Sequence, residues 1–365
     1  MKSNKSLNGI VIEKILSNKI SFFAIILICI FFVLAVFSYQ IIPDKTPNAN
    51  SIQLSIAKQK PGFTVNFLLI QKDIFIQRKN NLNSFFFGYP RTYESIPIVD
   101  YKIEDDKLFY SLFGTNSSVF KSINLNDLYL DSNGSFVQTR TFLLGTDKYG
   151  RDLLSRVVLG TRVSFSVGFI SVIISIVLGV FIGMIGGYYG GNVDFFVRWL
   201  INVVWSIPTL LLVIAITFVL GKGFWQVFVA VGLTMWVEVA RVTRGEVLKI
   251  SQLPYIEAVK SFGLSNYKIM WKHILPNVIN PIIIISAANF ATSILLESGL
   301  SFLGIGVQPP TPSWGMIIKD HYAFIIMDKA YLSLIPGFCI VILVISFMLL
   351  GNSLRDSLDT KLENK

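Results

Sequence analysis

PYIEAVKSFGLSNYKIMWKHILP, residues 254–276, is a polar stretch inside an otherwise apolar chain, and the rest of the sequence is organised around it. Pro254 can open a helix, because the N–H that proline lacks has no intrahelical partner in a first turn, and Glu257 complements the helix dipole there. Gly263 suits a left-handed C-terminal cap, and Ser265 is a candidate N-cap for a second short helix. The sequence therefore predicts two short helices joined at a bend.

Apolar sequence resumes directly after this stretch. We expect Pro276 to restart a helix whose apolar run, residues 278–285, enters the bilayer. The bend itself is basic and at the same time rich in large apolar side chains, namely Tyr255, Ile256, Phe262, Tyr267, Ile269, Met270 and Trp271.

The spacing of this stretch resembles a known motif. Glu257-Ala258-Val259, then Gly263, then residues 273–276 ending in Leu275-Pro276, is similar to the EAA loop of ABC-importer permeases. In that family the loop is a cytoplasmic helix-turn-helix that docks into a cleft of the ATPase subunit. The resemblance therefore assigns ATPase coupling to Glu257, Ala258, Gly263, Leu275 and Pro276.

Two qualifications belong to this motif. Its third position is usually alanine in the family and is Val259 here, which changes the packing surface and keeps the spacing. The alternative interpretation is an ordinary cytosolic loop at a membrane surface.

Composition places the whole chain in the membrane class. Of its 365 residues, 53% are hydrophobic and 15% are charged, against roughly 25% charged residues in a soluble domain. The net charge of +10 comes from residues dispersed around apolar segments, which favours contact with anionic lipid over nucleic-acid binding. Cys29 and Cys339 both lie inside apolar segments, so neither a disulfide framework nor a metal site is indicated.

The chain begins with lysines and one long apolar run. Lys2, Lys5, Lys14 and Lys19 precede residues 20–42, which are too long for the core of a signal peptide. We interpret residues 1–42 as a cytoplasmic N-terminus followed by a retained first transmembrane helix, in line with the positive-inside rule.

Residues 43–140 differ in composition and predict a small, strand-rich extracytoplasmic insert. Val65, Phe67 and Leu69 alternate with their neighbours, and Asp105-Asp106 lies between two segments that read as a hairpin. A structural or docking module is the favoured interpretation of the insert, and ligand capture is the alternative. The insert is longer than the resembling family usually carries at this place.

A second motif closes the insert. Residues 145–152, GTDKYGRD, resemble the signature that stands before the second membrane helix in the second permease of peptide and nickel importers. Physically, we expect an amphipathic segment whose charges, including Arg151, Arg156 and Arg162, lie at the lipid head groups.

Five further apolar spans are predicted downstream, at about residues 163–188, 199–220, 225–239, 277–296 and 332–350. In the first of them, Ser171, Ser175, Gly179, Gly183 and Gly187 recur every fourth residue, a pattern that lets helix backbones approach closely. Pro208 lies inside the next span and is expected to kink it; it is a candidate gating residue, and a static kink is the alternative. Asp194 and Arg198 are placed in a loop, and Arg241 and Arg244 are interpreted as cytoplasmic positive charges.

A third motif follows the fifth span. Residues 297–315, ESGLSFLGIGVQPPTPSWG, match the peptide-permease pattern, and their Gly and Pro content excludes a regular helix over residues 306–314. We expect a re-entrant or scoop-like loop at the outer face. Glu297 and Trp314 are candidate translocation or gating residues, and a hydrogen bond at the helix end is the alternative role for Glu297.

Several chemistries have no motif in this sequence. It contains no phosphate-binding loop of the G-x-x-x-x-G-K-[ST] type and no H-E-x-x-H. We therefore expect no catalytic, cofactor-binding or metal-binding residue in this chain, with ATP and Mg²⁺ bound by the partner ATPases.

Together the three motifs resemble the second permease subunit of a binding-protein-dependent importer of the oligopeptide, dipeptide and nickel class. The resemblance implies an all-α integral membrane protein of six transmembrane helices, the type I ABC importer permease fold, with a small β-rich extracytoplasmic insert. Residues 141–356 form the permease domain, with the coupling loop at about residues 250–276, and residues 357–365 form a cytoplasmic tail.

The implied function is half of an ATP-driven translocation path for peptides in the bacterial inner membrane, with both termini in the cytoplasm. The implied partners are a homologous second permease, two ABC ATPase subunits, an extracytoplasmic substrate-binding protein and membrane lipid. The alternatives are the same machine carrying nickel or another small solute, and a stand-alone secondary transporter.

Overall fold

The computed structural model describes residues 7–72, 81–115, 120–131, 133–221 and 223–363. Lys2 and Lys5 lie outside the described residues. The chain divides into two compact units. The helical unit comprises Met1–Phe32, Val163–Gln308 and Phe338–Lys365, and the sheet unit comprises Val33–Arg162 and Pro309–Gly337.

The α-helices, in chain order, are α1 Leu7–Ser17, α2 Lys19–Val36, α3 Ser38–Ile41, α4 Asn81–Phe87, α5 Leu153–Tyr189, α6 Gly191–Trp205, α7 Thr209–Leu220, α8 Phe224–Ser251, α9 Pro254–Ser261, α10 Asn266–Lys268, α11 Leu275–Leu303, α12 Trp314–His321 and α13 Tyr331–Glu363. A π-helical segment, Ile269–Ile274, joins α10 to α11, and Tyr322–Met327 is a 3₁₀ turn after α12. The strands are β1 Phe63–Gln71, β2 Tyr93–Glu104, β3 Lys107–Leu112, β4 Phe120–Asn124 and β5 Val137–Phe142.

The prediction of an all-α membrane protein with a β-rich insert is confirmed. Among the described residues, five helical segments are long and apolar enough to cross a membrane: α2, α5, α8, the continuous α10–α11 helix and α13. A sixth crossing is obtained if α6 and α7, which meet at 89°, are counted as one broken span.

Most of these helices are longer than their apolar cores. The structure begins α5 at Leu153 instead of residue 163, and it extends α8 to Ser251 instead of residue 239. Similarly, α11 continues to Leu303, and α13 continues through the expected tail to Glu363. The reason is physical, since hydropathy ends where charges begin, whereas a helix ends only where its backbone is interrupted.

The break at Pro208 is sharper than the predicted kink. Pro208 is the exposed N-cap of α7, with an extended ψ of 124°, and α6 has already ended at Trp205. A proline disfavours helical geometry in the residue before it, so the helix cannot continue through Ile207. Asp194 and Arg198, which we expected in a loop, lie on α6.

The stripe of small residues on α5 packs as predicted. A Cβ atom added at Gly179 would come within 2.5 Å of Val239 Cβ, and one at Gly183 within 2.5 Å of the Ala240 carbonyl oxygen. Two turns before Gly179 on the same stripe, the Ser171 hydroxyl donates a 3.0 Å hydrogen bond to the Phe228 carbonyl. The backbones of α5 and α8 are therefore in direct contact.

The sheet unit contains a five-stranded antiparallel sheet in the order β4-β3-β2-β1-β5. The alternation in β1 is confirmed, because Phe67 belongs to a buried cluster on one face and Leu68 to a cluster on the other. The predicted hairpin is also present, with Glu104 paired to Lys107 and Asp105 in the left-handed region at φ 52°.

Arg151 and Arg156 do not lie at a solvent or lipid surface, which corrects our expectation for these two charges, whereas Arg162 is half-buried and donates a 2.7 Å hydrogen bond to the Phe86 carbonyl. Asp147 is fully buried, and its Oδ2 lies 2.6 Å from Arg151 Nε and 3.7 Å from Arg156 Nε. Arg151 also donates a 2.9 Å hydrogen bond to the side chain of Asn50, about a hundred residues earlier in the chain. The segment is thus a buried ionic cluster that anchors the start of α5.

Candidate functional site

The first helix of the 254–276 segment begins as its sequence predicts. Leu253 is extended and serves as the N-cap, and Pro254 occupies the first turn of α9 together with Glu257. Leu253 supplies no side-chain cap, so Glu257 is the acidic group that complements the dipole of this turn. Ile256 is fully buried and fixes the helix to the core of the helical unit.

Gly263 ends this helix in the predicted left-handed conformation. Its φ is +75°, and its N–H donates a 2.9 Å hydrogen bond to the Lys260 carbonyl. A Cβ added at Gly263 would meet no atom within 4 Å, so the requirement for glycine comes from backbone conformation and not from space.

The second helix differs from the prediction. Ser265 is at the N-cap position but makes no side-chain cap hydrogen bond. From there α10, the π-helical segment and α11 form one continuous helix, Asn266–Leu303, of 38 residues. Pro276 therefore does not restart a helix: it lies exposed in the first turn of α11, where the chain is already helical, beside half-buried Leu275.

The segment has two faces. Ile256, Ile269 and Ile274 are fully buried in a cluster with residues of α5, α8 and α11. On the opposite face, Phe262 is 83% exposed and Tyr267 is 67% exposed. Large apolar side chains this exposed on a polar segment are typical of an interaction surface.

The predicted contact residues lie on the exposed face. Glu257, Ala258 and Gly263 are all exposed, and within the part of the chain that the structure describes the Glu257 carboxylate has no ion-pair partner. We call Glu257, Ala258, Phe262, Gly263 and Tyr267 the coupling face.

Polar contacts hold the coupling face to the membrane helices. The Tyr188 hydroxyl at the end of α5 donates a 2.8 Å hydrogen bond to Asn266 Oδ1, and Lys260 Nζ lies 5.2 Å above the Tyr188 ring. On the other side, Asn277 Nδ2 on α11 donates a 3.3 Å hydrogen bond to the Tyr255 hydroxyl on α9. These contacts join the helices that carry the coupling face to α5 and α11.

One functional contact was missed by the sequence interpretation. Arg244 does not act only as a surface charge, because its Nη2 lies 2.8 Å from Asp194 Oδ2 and its Nε also contacts the same carboxylate. Arg198 follows Asp194 by one turn on α6, and its Nε lies 3.1 Å from Asp194 Oδ2. The four-residue spacing of Asp194 and Arg198 was a signal for their own pair, since residues four apart share a helix face, but it contained no information about Arg244. This cluster links α6 to α8.

Glu297 lies inside α11 and not at its end. It is fully buried, and its Oε1 accepts a 2.6 Å hydrogen bond from Ser301, whose oxygen in turn accepts from the Val307 N–H at 3.2 Å. A Cβ added at Gly306 would lie 2.3 Å from Ser301 Oγ. Glu297 therefore fixes, through Ser301, the turn that follows α11, and the region from residue 306 to Ser313 is irregular as predicted.

Trp314 is a packing residue of the sheet unit. It begins α12, is fully buried, and donates a 2.9 Å hydrogen bond from Nε1 to the Val157 carbonyl. Gly160 leaves the space for its ring, because an added Cβ would lie 2.7 Å from Trp314 Cδ1. Within the described residues, no group of three or more His, Cys, Asp or Glu side chains is placed to hold a metal ion.

Comparison with known proteins assigns the family. Residues 175–364, which contain the coupling face and the Asp194 cluster, match the binding-protein-dependent transport system inner membrane component. The chain belongs to this family. It is therefore a permease subunit of an ABC importer, an inner-membrane transport component.

Individual relatives extend the comparison. The permease is 36% identical to the glutathione transport system permease protein GsiD of Pectobacterium atrosepticum over 221 residues, which are 60% of this chain and 73% of that protein. It is 36% identical to the dipeptide transport system permease protein DppC of Alkalihalophilus pseudofirmus over 220 residues, 60% and 72% of the two chains. The GsiD protein of Salmonella typhimurium is 41% identical over 219 residues, again 60% and 72%. The insert, residues 43–140, lies outside the range of the family match.

Proposed function

We propose that this permease pairs with a homologous permease to form a translocation path for short peptides, powered by two ABC ATPase subunits and supplied by an extracytoplasmic binding protein. ATP and Mg²⁺ bind to the ATPases and not to this chain. The coupling face docks into an ATPase, and movement of the ATPases is passed to the membrane helices through α9 and the continuous α10–α11 helix.

One observation carries the ATPase contact. The coupling face presents Phe262 and Tyr267 to solvent while the isoleucines beneath it are fully buried. A surface that exposes aromatic groups on a fixed helical support matches what a docking interface requires, namely apolar anchors that lose little conformational entropy on binding.

We infer a peptide substrate from the names of the relatives. The relatives compared above carry the names of glutathione and dipeptide transport systems. We therefore expect uptake of dipeptides and tripeptides in proteoliposomes that contain both permeases, both ATPases and the binding protein. Uptake that proceeds without ATPases, driven by an ion gradient, would contradict this assignment.

Phe262 provides the first test. Phe262→Ser removes the most exposed aromatic side chain of the coupling face, and we expect at least a tenfold loss of ATPase co-purification, because an interface aromatic anchor contributes about 2 kcal/mol or more. The measurement is affinity purification of the solubilised complex from native membranes, followed by mass spectrometry.

Phe262→Leu is the matched control, since it keeps an apolar side chain at the same position. We expect it to retain most of the ATPase. Equal recovery of ATPase with the serine and leucine variants would show that the coupling face does not use Phe262, and recovery of the wild-type chain without any ATPase would overturn the importer complex itself.

A further inference from the structure

The sheet unit contains a cavity of about 440 Å³ that no part of the proposed transport mechanism uses. Its walls come from the loop after α3, from β1, from the segment that leads into β2, and from β5. The volume falls in the usual range of small-molecule sites, roughly 300–1,000 Å³. All of its lining residues belong to the sheet unit.

The acidic groups of the cavity wall are already satisfied. Asp44 is buried, and its Oδ1 accepts hydrogen bonds from the Thr46 hydroxyl at 2.8 Å and from Arg91 Nη2 at 3.0 Å. Asp152 Oδ2 accepts from both the backbone N–H and the hydroxyl of Ser155. Neither carboxylate is therefore placed to attract a cationic ligand.

Arg140 differs from these carboxylates, because its hydrogen-bond partners carry no charge. Its Nε donates a 2.9 Å hydrogen bond to Gln138 and its Nη1 a 3.3 Å hydrogen bond to the Ser95 hydroxyl, and both acceptors are neutral. Its guanidinium lies 4.4 Å from the centre of the Phe67 ring. Within the described ranges, no carboxylate oxygen lies within ion-pair distance of Arg140.

The electrostatics agree with a cation that is only partly compensated. Burial, followed by the nearby charge of Arg91, lowers the pKa of Arg140 to about 10, although Tyr93 and Asp44 act in the other direction, and the side chain is still charged at neutral pH. The charged residues of the wall are Lys45, Arg91 and Arg140 against Asp44 and Asp152, a balance of three minus two, or +1. A half-buried arginine whose hydrogen-bond partners are all neutral suits a planar anion that accepts from its fork of N–H groups.

We propose that this cavity is a binding site for a small organic carboxylate, whose carboxylate pairs with Arg140 and whose apolar part lies against the aromatic wall. That wall is formed by Phe67, Tyr89, Tyr93 and Phe142. The site gives the insert a ligand-capture role, and it does not rest on the ATPase coupling or on the transported substrate.

The test is a direct binding measurement on the full chain in phosphatidylcholine nanodiscs. The probes are N-acetyl-L-phenylalanine and N-acetyl-L-phenylalaninamide, which differ in carboxylate charge and share the apolar group. We expect calorimetry to show at least tenfold tighter binding of the acid. Arg140→Gln should reduce binding of the acid to the level of the amide, whereas Lys102→Gln, an exposed charge change on β2 that lies outside the cavity, should leave it unchanged.

Several outcomes would overturn the site. These are equal affinity for acid and amide, a loss in Lys102→Gln as large as in Arg140→Gln, or displacement of the acid by inorganic phosphate at equal concentration. Arg140→Lys keeps the charge and loses the planar fork, and we expect it to bind with intermediate affinity. If Arg140→Gln fails to fold, the acid and amide comparison on the wild-type chain and the lysine variant still decide the question.

Discussion

At the scale of single residues, His321 is a buried histidine whose two ring nitrogens have different partners. Its Nδ1 lies 2.7 Å from the Ile317 carbonyl, and its Nε2 accepts a 3.1 Å hydrogen bond from the Lys148 N–H. This arrangement requires a neutral ring, because a protonated Nε2 could not accept. Burial is the main cause that lowers the pKa of His321, although the nearby carboxylates of Asp147 and Asp320 act in the other direction.

A pH dependence of stability follows from this residue. Below the usual histidine pKa of about 6.5, the His321 side chain is protonated in the unfolded chain but stays neutral in the folded chain until the pH reaches its lowered pKa. The free energy of unfolding should therefore be unaffected by His321 above about pH 7 and should fall as the pH drops from about 6.5 towards the lowered folded pKa. The slope from one proton is at most about 1.4 kcal/mol per pH unit.

The measurement is thermal unfolding of the solubilised protein between pH 8 and pH 5.5. We expect His321→Gln to reduce the loss of stability in the acidic part of this range. His273→Gln, which changes the chain's other histidine, is the control and should keep the wild-type slope. If both variants behave alike, the pH dependence does not arise at His321.

Single residues also show where sequence interpretation fails. Gly263 could be assigned its left-handed cap from its position alone. Arg151 and Arg156 could not be placed, because besides nearby Asp147 they contact Asn50 and Asn48, about a hundred residues earlier, and local hydropathy contains no information about such contacts. An arginine near an apolar run is ambiguous until its long-range partner is known.

At the scale of elements, the contact of α5 with α8 depends on the missing side chains of the small-residue stripe. An alanine at Gly183 would place its Cβ 2.5 Å from the Ala240 carbonyl oxygen and 2.8 Å from Thr243 Cβ. The two backbones would have to separate. We expect Gly183→Ala to destabilise the protein by about 1–3 kcal/mol, the usual cost of overpacking.

Gly245→Ala on α8 is the matched control for that change. Gly245 is also helical, but an added Cβ there would meet no atom within 4 Å. We expect no loss and a gain of up to about 1 kcal/mol, since alanine is the better helix former. Thermal unfolding of the two variants in one detergent compares them, and equal stability would show that the stripe is not a close contact.

The sequence predicted the type of most helices and strands correctly, but it predicted their end residues less well. The β1 alternation, the Asp105 hairpin and the small-residue stripe all appear where their periodicity places them. The bend at Pro208 was underestimated, because a proline in a sequence marks an interruption without giving its angle. Helix ends were misplaced wherever charged residues continue a helix beyond its apolar core, as in α8.

At the scale of the whole molecule, orientation in the membrane is a prediction that chemistry can test. We expect the coupling face in the cytoplasm and the insert outside. In a chain with Cys29→Ser and Cys339→Ser, Asn133→Cys in the insert should react with a membrane-impermeant maleimide on intact cells, because Asn133 is exposed.

The paired variant is Tyr267→Cys in the same background. Tyr267 is also exposed in the folded chain, yet it should react only after the membrane is opened. Labelling of Tyr267→Cys on intact cells would invert the proposed topology and remove the coupling face from the ATPases.

The continuous helix Asn266–Leu303 has a mechanical consequence. Its 38 residues span about 57 Å at about 1.5 Å per residue, and they join the coupling face at one end to Glu297 and Ser301 at the other. A rotation of about 10° around the midpoint of such a rod displaces each end by about 5 Å in opposite directions. Under the proposed coupling, a push on Tyr267 would displace the region near Leu303 by a similar distance in the opposite direction, provided that the helix turns as one body through Pro281.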